Sequence, residues 1–476
     1  MKSKFSTKTL WYLSGQIVQA LSVLIPLPIL LKNLNPNEYS VFIIITISSQ
    51  LLAIVLGLGI VNPLTRSYFD RTLGTPDGIN FLGYVCIMSL GTVAFALVFI
   101  SYRILNLDYQ EYALMTVLLS WIMAIKELGL SRLRAEGAAR TYFFFASATS
   151  ILSYSSVVLV FQFVEEIKVS TVIFVFLLGH FLPTLFLFIK FWPKKMNLSP
   201  ISSTLRIAVP IIPHSLGVIL LVIGDRYLLA LLSDAQSVST YQIGYLIGNV
   251  GMFLILGVNN VFSVFIYSLE KKDRFVVLAK YSDFLLSLII VFTNVILLSI
   301  PLVIHLAVPT TYNLYDISVV AGIITLATPV YAIYLVFAST IFSRSDIAIF
   351  SWATSFSLLF SAVANYFMIR SFGIIGAAIV STLTYVIQAA LVSRHSIKND
   401  LGKWDFRYYS LSSIILQIFC FMVLFLGDGK MYFISLLSLV VLNFTFFLFL
   451  SRRLRAKFQS DKIPSAEIHF QRDPKI

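Results

Sequence analysis

The chain has 476 residues, of which 58% are hydrophobic and only 12% charged, and its formal net charge is +13; the mean hydropathy is +0.89. An ordinary soluble domain carries about 25% charged residues, so this composition excludes a soluble globular fold and describes a polytopic membrane protein. The basic balance does not point to nucleic acid, because the lysines and arginines lie in short clusters between apolar runs, as cytoplasmic loops carry them.

A bilayer core about 30 Å thick needs roughly 20 apolar residues per spanning helix. The runs are continuously apolar, without the alternation of a lipid-facing strand, so they predict helices and not a barrel. In chain order the predicted spans are 9–31, 39–63, 81–101, 112–130, 142–164 and 171–192; then 207–232, 241–267, 277–304, 317–342, 347–369 and 374–392; and last 408–426 and 431–450, 14 in all. The first run follows Lys2, Lys4 and Lys8, but it is too long for a signal peptide and no A-x-A-like cleavage site follows, so a retained span is expected. Cys86 and Cys420 lie in apolar runs far apart in sequence and predict neither a disulfide nor a metal site.

With a cytoplasmic N-terminus, 29 of the 35 lysines and arginines fall in inner segments. The outer loops then hold only Lys32, Arg103, Lys168, Arg370 and Lys430, while Arg226 lies inside a span. Missing one span would reverse every later loop, so this bias supports the count and places both termini in the cytoplasm. The link 194–205 has six spans before it and six after, then a final pair. An even number per half gives both halves the same orientation, that is, parallel repeats related by an axis along the membrane normal. The expected organisation is an N-terminal six-helix lobe over 1–200, a C-terminal six-helix lobe over 201–398, an extra helix pair over 399–450 and a basic cytoplasmic tail over 451–476.

The halves echo each other weakly. Leu30-Leu31, a polar link, Tyr39 and a run ending at Arg66-Ser67-Tyr68 correspond to Leu231-Leu232, a polar link, Tyr241 and a run ending at Ile266-Tyr267-Ser268. The first span of each half also carries a proline pair, Pro26 with Pro28 and Pro210 with Pro213, and proline bends a helix while freeing a backbone carbonyl.

These residues carry a resemblance. Asn35-Pro36, Glu38-Tyr39, Leu58-Gly59 and Arg66-Ser67-Tyr68 in the first half, and Val209-Pro210-Ile211-Ile212-Pro213-His214, Asp225-Arg226-Tyr227 and Tyr241-Gln242-Ile243-Gly244-Tyr245 with Asn259-Asn260 in the second, resemble the bacterial polysaccharide flippases. These Wzx-like proteins move O-antigen or capsule repeat units and belong to the multidrug/oligosaccharidyl-lipid/polysaccharide (MOP) exporter superfamily. The similarity covers roughly 9–394 and departs from the pattern at Val264 and Phe265, where a proline is expected. It implies a polyprenyl-pyrophosphate-linked oligosaccharide as substrate, moved between leaflets of the bacterial cytoplasmic membrane through a cavity between two lobes. Membrane lipids, and polymerase and chain-length proteins of the same pathway, are the implied partners; no cofactor is implied.

Ionisable residues within spans are costly and therefore informative. Arg226 has two readings: a cation for a substrate phosphate, to which a guanidinium fork is suited, or an anchor reaching the outer headgroups. Asp225 is expected to pair with a residue of another span or to act as a coupling carboxyl, because adjacent side chains on a helix point about 100° apart. Arg66, at the inner end of the second span, and Lys126, near that of the fourth, stand as substrate cations or positive-inside anchors. His214 lines the cavity or is hydrogen-bonded structure. Asn259 and Asn260 bind sugar or join helices.

The expected function is therefore an alternating-access flippase and not an enzyme. Energy would come from an ion gradient, since no G-x-x-x-x-G-K-[ST] loop is present. Two alternatives stand beside it. A membrane polymerase or ligase would need reactive groups in outer loops that here are short, with His305 and Asp316 the available pair; a multidrug exporter of the same superfamily would lack the extra helix pair.

Overall fold

A computed structural model describes residues 2–68, 74–105, 110–164, 167–193, 201–252, 255–256, 271–342 and 348–398, with short stretches between 414 and 452. The elements are α1 (Lys2–Leu24), α2 (Leu27–Asn33), α3 (Pro36–Leu56), α4 (Val61–Ser67), α5 (Pro76–Leu105), α6 (Gln110–Ala135) and α7 (Ala139–Phe163). They continue with α8 (Val169–Lys190), α9 (Ile201–Leu232), α10 (Ala235–Gly248), α11 (Lys271–Ala307), α12 (Leu314–Phe342) and α13 (Ala348–Lys398). Among the described residues ten helices are long and apolar enough to cross a membrane, and no strand occurs. The fold is all-α and polytopic, as expected. About half of the predicted span 241–267 and more than half of the final pair lie outside the described residues.

The predicted spans 347–369 and 374–392 both lie in α13, which is interrupted by a residue of non-helical conformation, Gly373. A straight helix would put Gly376 about 12 Å beyond Met368 at 1.5 Å per residue. A β-carbon on Gly376 would instead stand 2.1 Å from the Met368 carbonyl oxygen. The chain therefore reverses at Gly373, whose φ is +56°, and α13 is a hairpin of two arms.

Two compact units are present: Met1–Ile247 with Val303–Val320 and Thr354–Ser381, and Gly248–Leu302 with Ala321–Ala353 and Thr382–Ile476. In the first, α7 packs on α1 and α8, and α6 on α3 and α8. Local signals set the helix ends. Asn35 and Glu38 form a reciprocal capping box at the start of α3, with Pro36 in its first turn. Pro26 separates α1 from α2, the bend expected of the first proline pair, whereas α9 continues through Pro210 and Pro213. The second predicted span breaks at 57–60, where Leu58 (φ 46°) and Gly59 (φ 65°) take left-handed conformations. A β-carbon on Gly59 would lie 2.7 Å from the Ala208 carbonyl oxygen, so the break sits directly on α9. Below it Leu56, Ile60 and Leu64 share an apolar cluster with Ile79 and Leu82 of α5, Leu128 of α6 and Ala208.

At the opposite ends of these helices the α11–α12 link meets the end of α2. The Tyr312 hydroxyl donates to the Leu34 carbonyl oxygen at 3.1 Å, and both residues are 2% exposed. Burial and the Glu38 carboxylate hold the Tyr312 hydroxyl well above the usual tyrosine range. A tyrosine raised on folding stabilises the fold fully below about pH 10 and loses that contribution as pH rises further. Tyr312→Phe is expected to cost about 1 kcal/mol, the net value of such a bond. Thermal unfolding of the two proteins at pH 8 checks this, and an unchanged midpoint would count against the contact.

In the second unit α10 and α12 approach through small residues. A β-carbon on Gly248 would meet the Ala321 carbonyl oxygen at 2.4 Å, and Gly251 lies against Thr328, the close approach that small residues permit between membrane helices. Asn294 of α11 donates to Asn443 at 3.0 Å, which ties the stretch 439–446 to the body of that unit.

Candidate functional site

The buried acid and base of α9 stand at the centre of a polar cluster in the first unit. Asp225 is 4% and Arg226 2% exposed, and they pair with each other: Arg226 Nη1 donates to Asp225 Oδ1 at 2.7 Å. This corrects the expectation that helix geometry keeps these neighbours apart. Their β-carbons do diverge, but long helical side chains lean toward the preceding turn, and the arginine stem curls back until Nη1 also meets the Val222 carbonyl oxygen.

The α9–α10 connection at 233–234 is short, so the next helix runs back alongside and completes the site. Arg226 Nε donates to Gln242 Oε1 at 2.9 Å. The guanidinium carbon lies 3.8 Å from the Tyr245 ring centroid and 5.3 Å from that of Tyr241, a cation–π arrangement that compensates lost hydration. Asp225 Oδ2 accepts from the Tyr241 hydroxyl and from Ser381 Oγ of the second α13 arm at 2.8 Å. Its Oδ1 also accepts the Arg226 backbone N–H at 2.9 Å. Four donors therefore surround the carboxylate, and three helices meet at the pair.

Tyr241, Gln242, Tyr245 and Ser381 were not assigned roles from sequence. For the α10 residues a signal existed, since positions 241, 242 and 245 share one helical face; for Ser381 there was none. The other expected site residues do not join this cluster. Arg66 is exposed at the end of α4, and His214 is exposed on α9. Lys126 is partly buried on α6. Asn259 and Asn260 lie outside the described residues.

Two arginines near the end of α6 are ion-paired. Arg132 meets Asp77 at 2.8 Å and Glu136 at 2.9 Å, and its guanidinium lies 4.7 Å from the Phe191 ring centroid. Arg134 pairs with Glu127. The Tyr68 hydroxyl donates to Glu136 at 2.8 Å, and burial together with that carboxylate raises it well above the usual tyrosine range.

No family model matches the sequence, and no curated protein matches it. Among solved structures the chain is similar to the lipid II flippase MurJ in an inward closed conformation, with a TM-score of 0.68 and 16% identity over 95% of this chain and 99% of that one. It is also similar to an inward-facing multidrug resistance MATE family transporter of the MOP superfamily (TM-score 0.65, 14% identity, 82% of this chain and 98% of that one). A MATE structure in the straight conformation gives 0.59 and 14% over 83% of this chain and 95% of that one. The chain thus has the MATE- and MurJ-like polytopic transporter fold.

Proposed function

We propose that this protein is a flippase that moves a polyprenyl-pyrophosphate-linked oligosaccharide repeat unit from the inner to the outer leaflet of the cytoplasmic membrane, by alternating access of two six-helix lobes. The observation that carries this reading is the extent of the likeness. The lipid II flippase covers 95% of this chain, whereas the two MATE structures above cover 82–83% of it while using 95–98% of their own length. We infer that the extra helix pair expected over 399–450, which a multidrug exporter of twelve spans does not need, accounts for part of this difference.

In this reading the basic ends of the helices face the cytoplasm, and Arg66 there receives the anionic pyrophosphate, for which a guanidinium is suited. His214 stands further along α9 as a polar contact on the path. Arg226, bonded to Asp225, Gln242 and the Val222 carbonyl oxygen, acts as a brace holding α9, α10 and the second α13 arm together. An ion gradient drives the cycle. Sugar recognition falls to residues such as Asn259 and Asn260.

Translocation of lipid-linked repeat units, measured in a strain without the chromosomal copy and without a redundant flippase, tests this. Arg66→Gln is expected to lower the rate about tenfold, the loss of roughly 1.4 kcal/mol of phosphate binding, with normal membrane insertion. Normal delivery of repeat units in the deletion strain would reject the function. Drug resistance conferred by the protein without any surface-glycan phenotype would favour the multidrug reading that the MATE likeness offers.

A further inference from the structure

The starts of three helices of the first unit, α3, α6 and α8, border one cleft of about 350 Å³, at the end of α6 remote from the Arg132 ion pairs. Its lining includes Glu38 of α3, Glu111 of α6, and Lys168, Val169 and Ser170 at the start of α8. The stretches of these helices apolar enough to cross a membrane begin at Pro36, Glu111 and Val169, so the cleft lies at the level of lipid headgroups. Phe163 and Val164, where α7 ends shortly before Lys168, are both exposed, which sets apolar surface next to the polar hollow.

The cleft has two poles. The positive one comes from α8, which begins at Lys168 with no side-chain cap and no acid in its first turn. The backbone N–H groups of Val169 and Ser170 therefore lack helical partners, and the helix dipole adds to the ammonium of Lys168. Ser170 is 9% exposed, and its hydroxyl, lining the cleft, has no hydrogen-bond partner among the described residues. A buried hydroxyl left without a partner is costly, and here it stands where a ligand oxygen would meet it.

The negative pole comes from α3 and α6. Glu38 Oε2 accepts the Asn35 backbone N–H at 2.9 Å, which leaves its Oε1 open. Glu111 is exposed. None of Glu38, Glu111 and Lys168 has an ion-pair partner among the described residues, so the opposite charges share the cleft without joining each other. A bare anion would face two carboxylates, and a bare cation a lysine and a helix N-terminus. A ligand carrying both signs satisfies both poles.

We infer that this cleft binds the headgroup of a phosphatidylethanolamine lipid. The phosphate accepts from Lys168 Nζ, Ser170 Oγ and the open N–H groups of α8, and the primary ammonium donates to Glu38 and Glu111, charge-assisted bonds at both ends. Exposed Phe163 and Val164 offer apolar surface to the acyl chains. A choline headgroup carries the same charges, but its ammonium has no N–H to donate. The site goes beyond the flippase reading and does not depend on it.

The purified full-length protein, titrated in detergent with dioctanoyl phosphatidylethanolamine, phosphatidylcholine or phosphatidylglycerol while its unfolding midpoint is followed, tests the proposal. Phosphatidylethanolamine should give a saturable rise of about 2 to 4 °C, half complete at a concentration about tenfold below that for phosphatidylcholine. Glu111→Gln should remove most of that preference and leave the phosphatidylcholine curve in place. Lys168→Met should raise both half-saturating concentrations about tenfold. Both side chains are exposed, so neither variant disturbs the fold. Equal responses to the three lipids, or wild-type curves in both variants, would overturn the site. A stronger response to phosphatidylglycerol would mean an anion site without an ammonium partner and would reject the assigned headgroup. Glycerophosphoethanolamine acting at the same concentrations as the lipid would assign the cleft to a soluble zwitterion and overturn the lipid assignment.

Discussion

Asp225→Asn is expected to destabilise the protein by about 3 to 5 kcal/mol, because removing one member of a buried ion pair leaves the other charge uncompensated. The substitution keeps the size of the side chain, so the loss isolates charge from packing. Arg226 would retain Gln242 and two aromatic rings, but neither supplies an anion. Tyr241 and Ser381 would face an amide where they now donate to Oδ2. The double variant Asp225→Asn with Arg226→Gln should recover much of the loss, since a neutral pair no longer strands a charge. Unfolding of all four proteins in one detergent gives the coupling energy. A single variant within about 1 kcal/mol of wild type would mean that water reaches the pair. The same variant bears on ion coupling: a braced carboxylate predicts that residual transport keeps its dependence on proton and sodium gradients, whereas loss of that dependence would restore Asp225 as the coupling group.

Gly376→Val should be the most damaging single change at the α13 hairpin, at more than about 3 kcal/mol. Overpacking of a close contact typically costs 1 to 3 kcal/mol, of that order or more when nothing yields. Here the obstacle is the Met368 backbone itself, with its carbonyl oxygen 2.1 Å and carbonyl carbon 2.6 Å from the position of a β-carbon, so relief requires opening the two arms. Gly373→Ala forms the contrast. Nothing stands within 4 Å of a β-carbon at Gly373, and the penalty is conformational only, about 1 kcal/mol for a β-carbon at positive φ. The expected order is Gly376→Val far below Gly373→Ala, and Gly373→Ala slightly below wild type, measured as unfolding midpoint and as yield of folded protein in the membrane. The reverse order would mean that the turn and not the helix contact holds the hairpin.

Run length and charge bias were enough to read the helical, polytopic class from sequence, because a bilayer imposes one length and one internal hydrogen-bonding solution on every crossing. They also separated 347–369 from 374–392, since an unbroken apolar helix of that combined length would far exceed the membrane thickness. The breaks at Pro26 and at Leu58-Gly59 were legible as residue types, though only the first was read as a bend. Which side chains meet was decided by tertiary structure alone. Ser381 reaches Asp225 across 156 positions of sequence. The Asp225–Arg226 pair was misread because an angle between β-carbons says little about where a four-bond stem carries its charge. Length and hydropathy are properties of one segment measured against the lipid. Partnership between polar groups is a property of two segments measured against each other, and it exists only once the helices have packed.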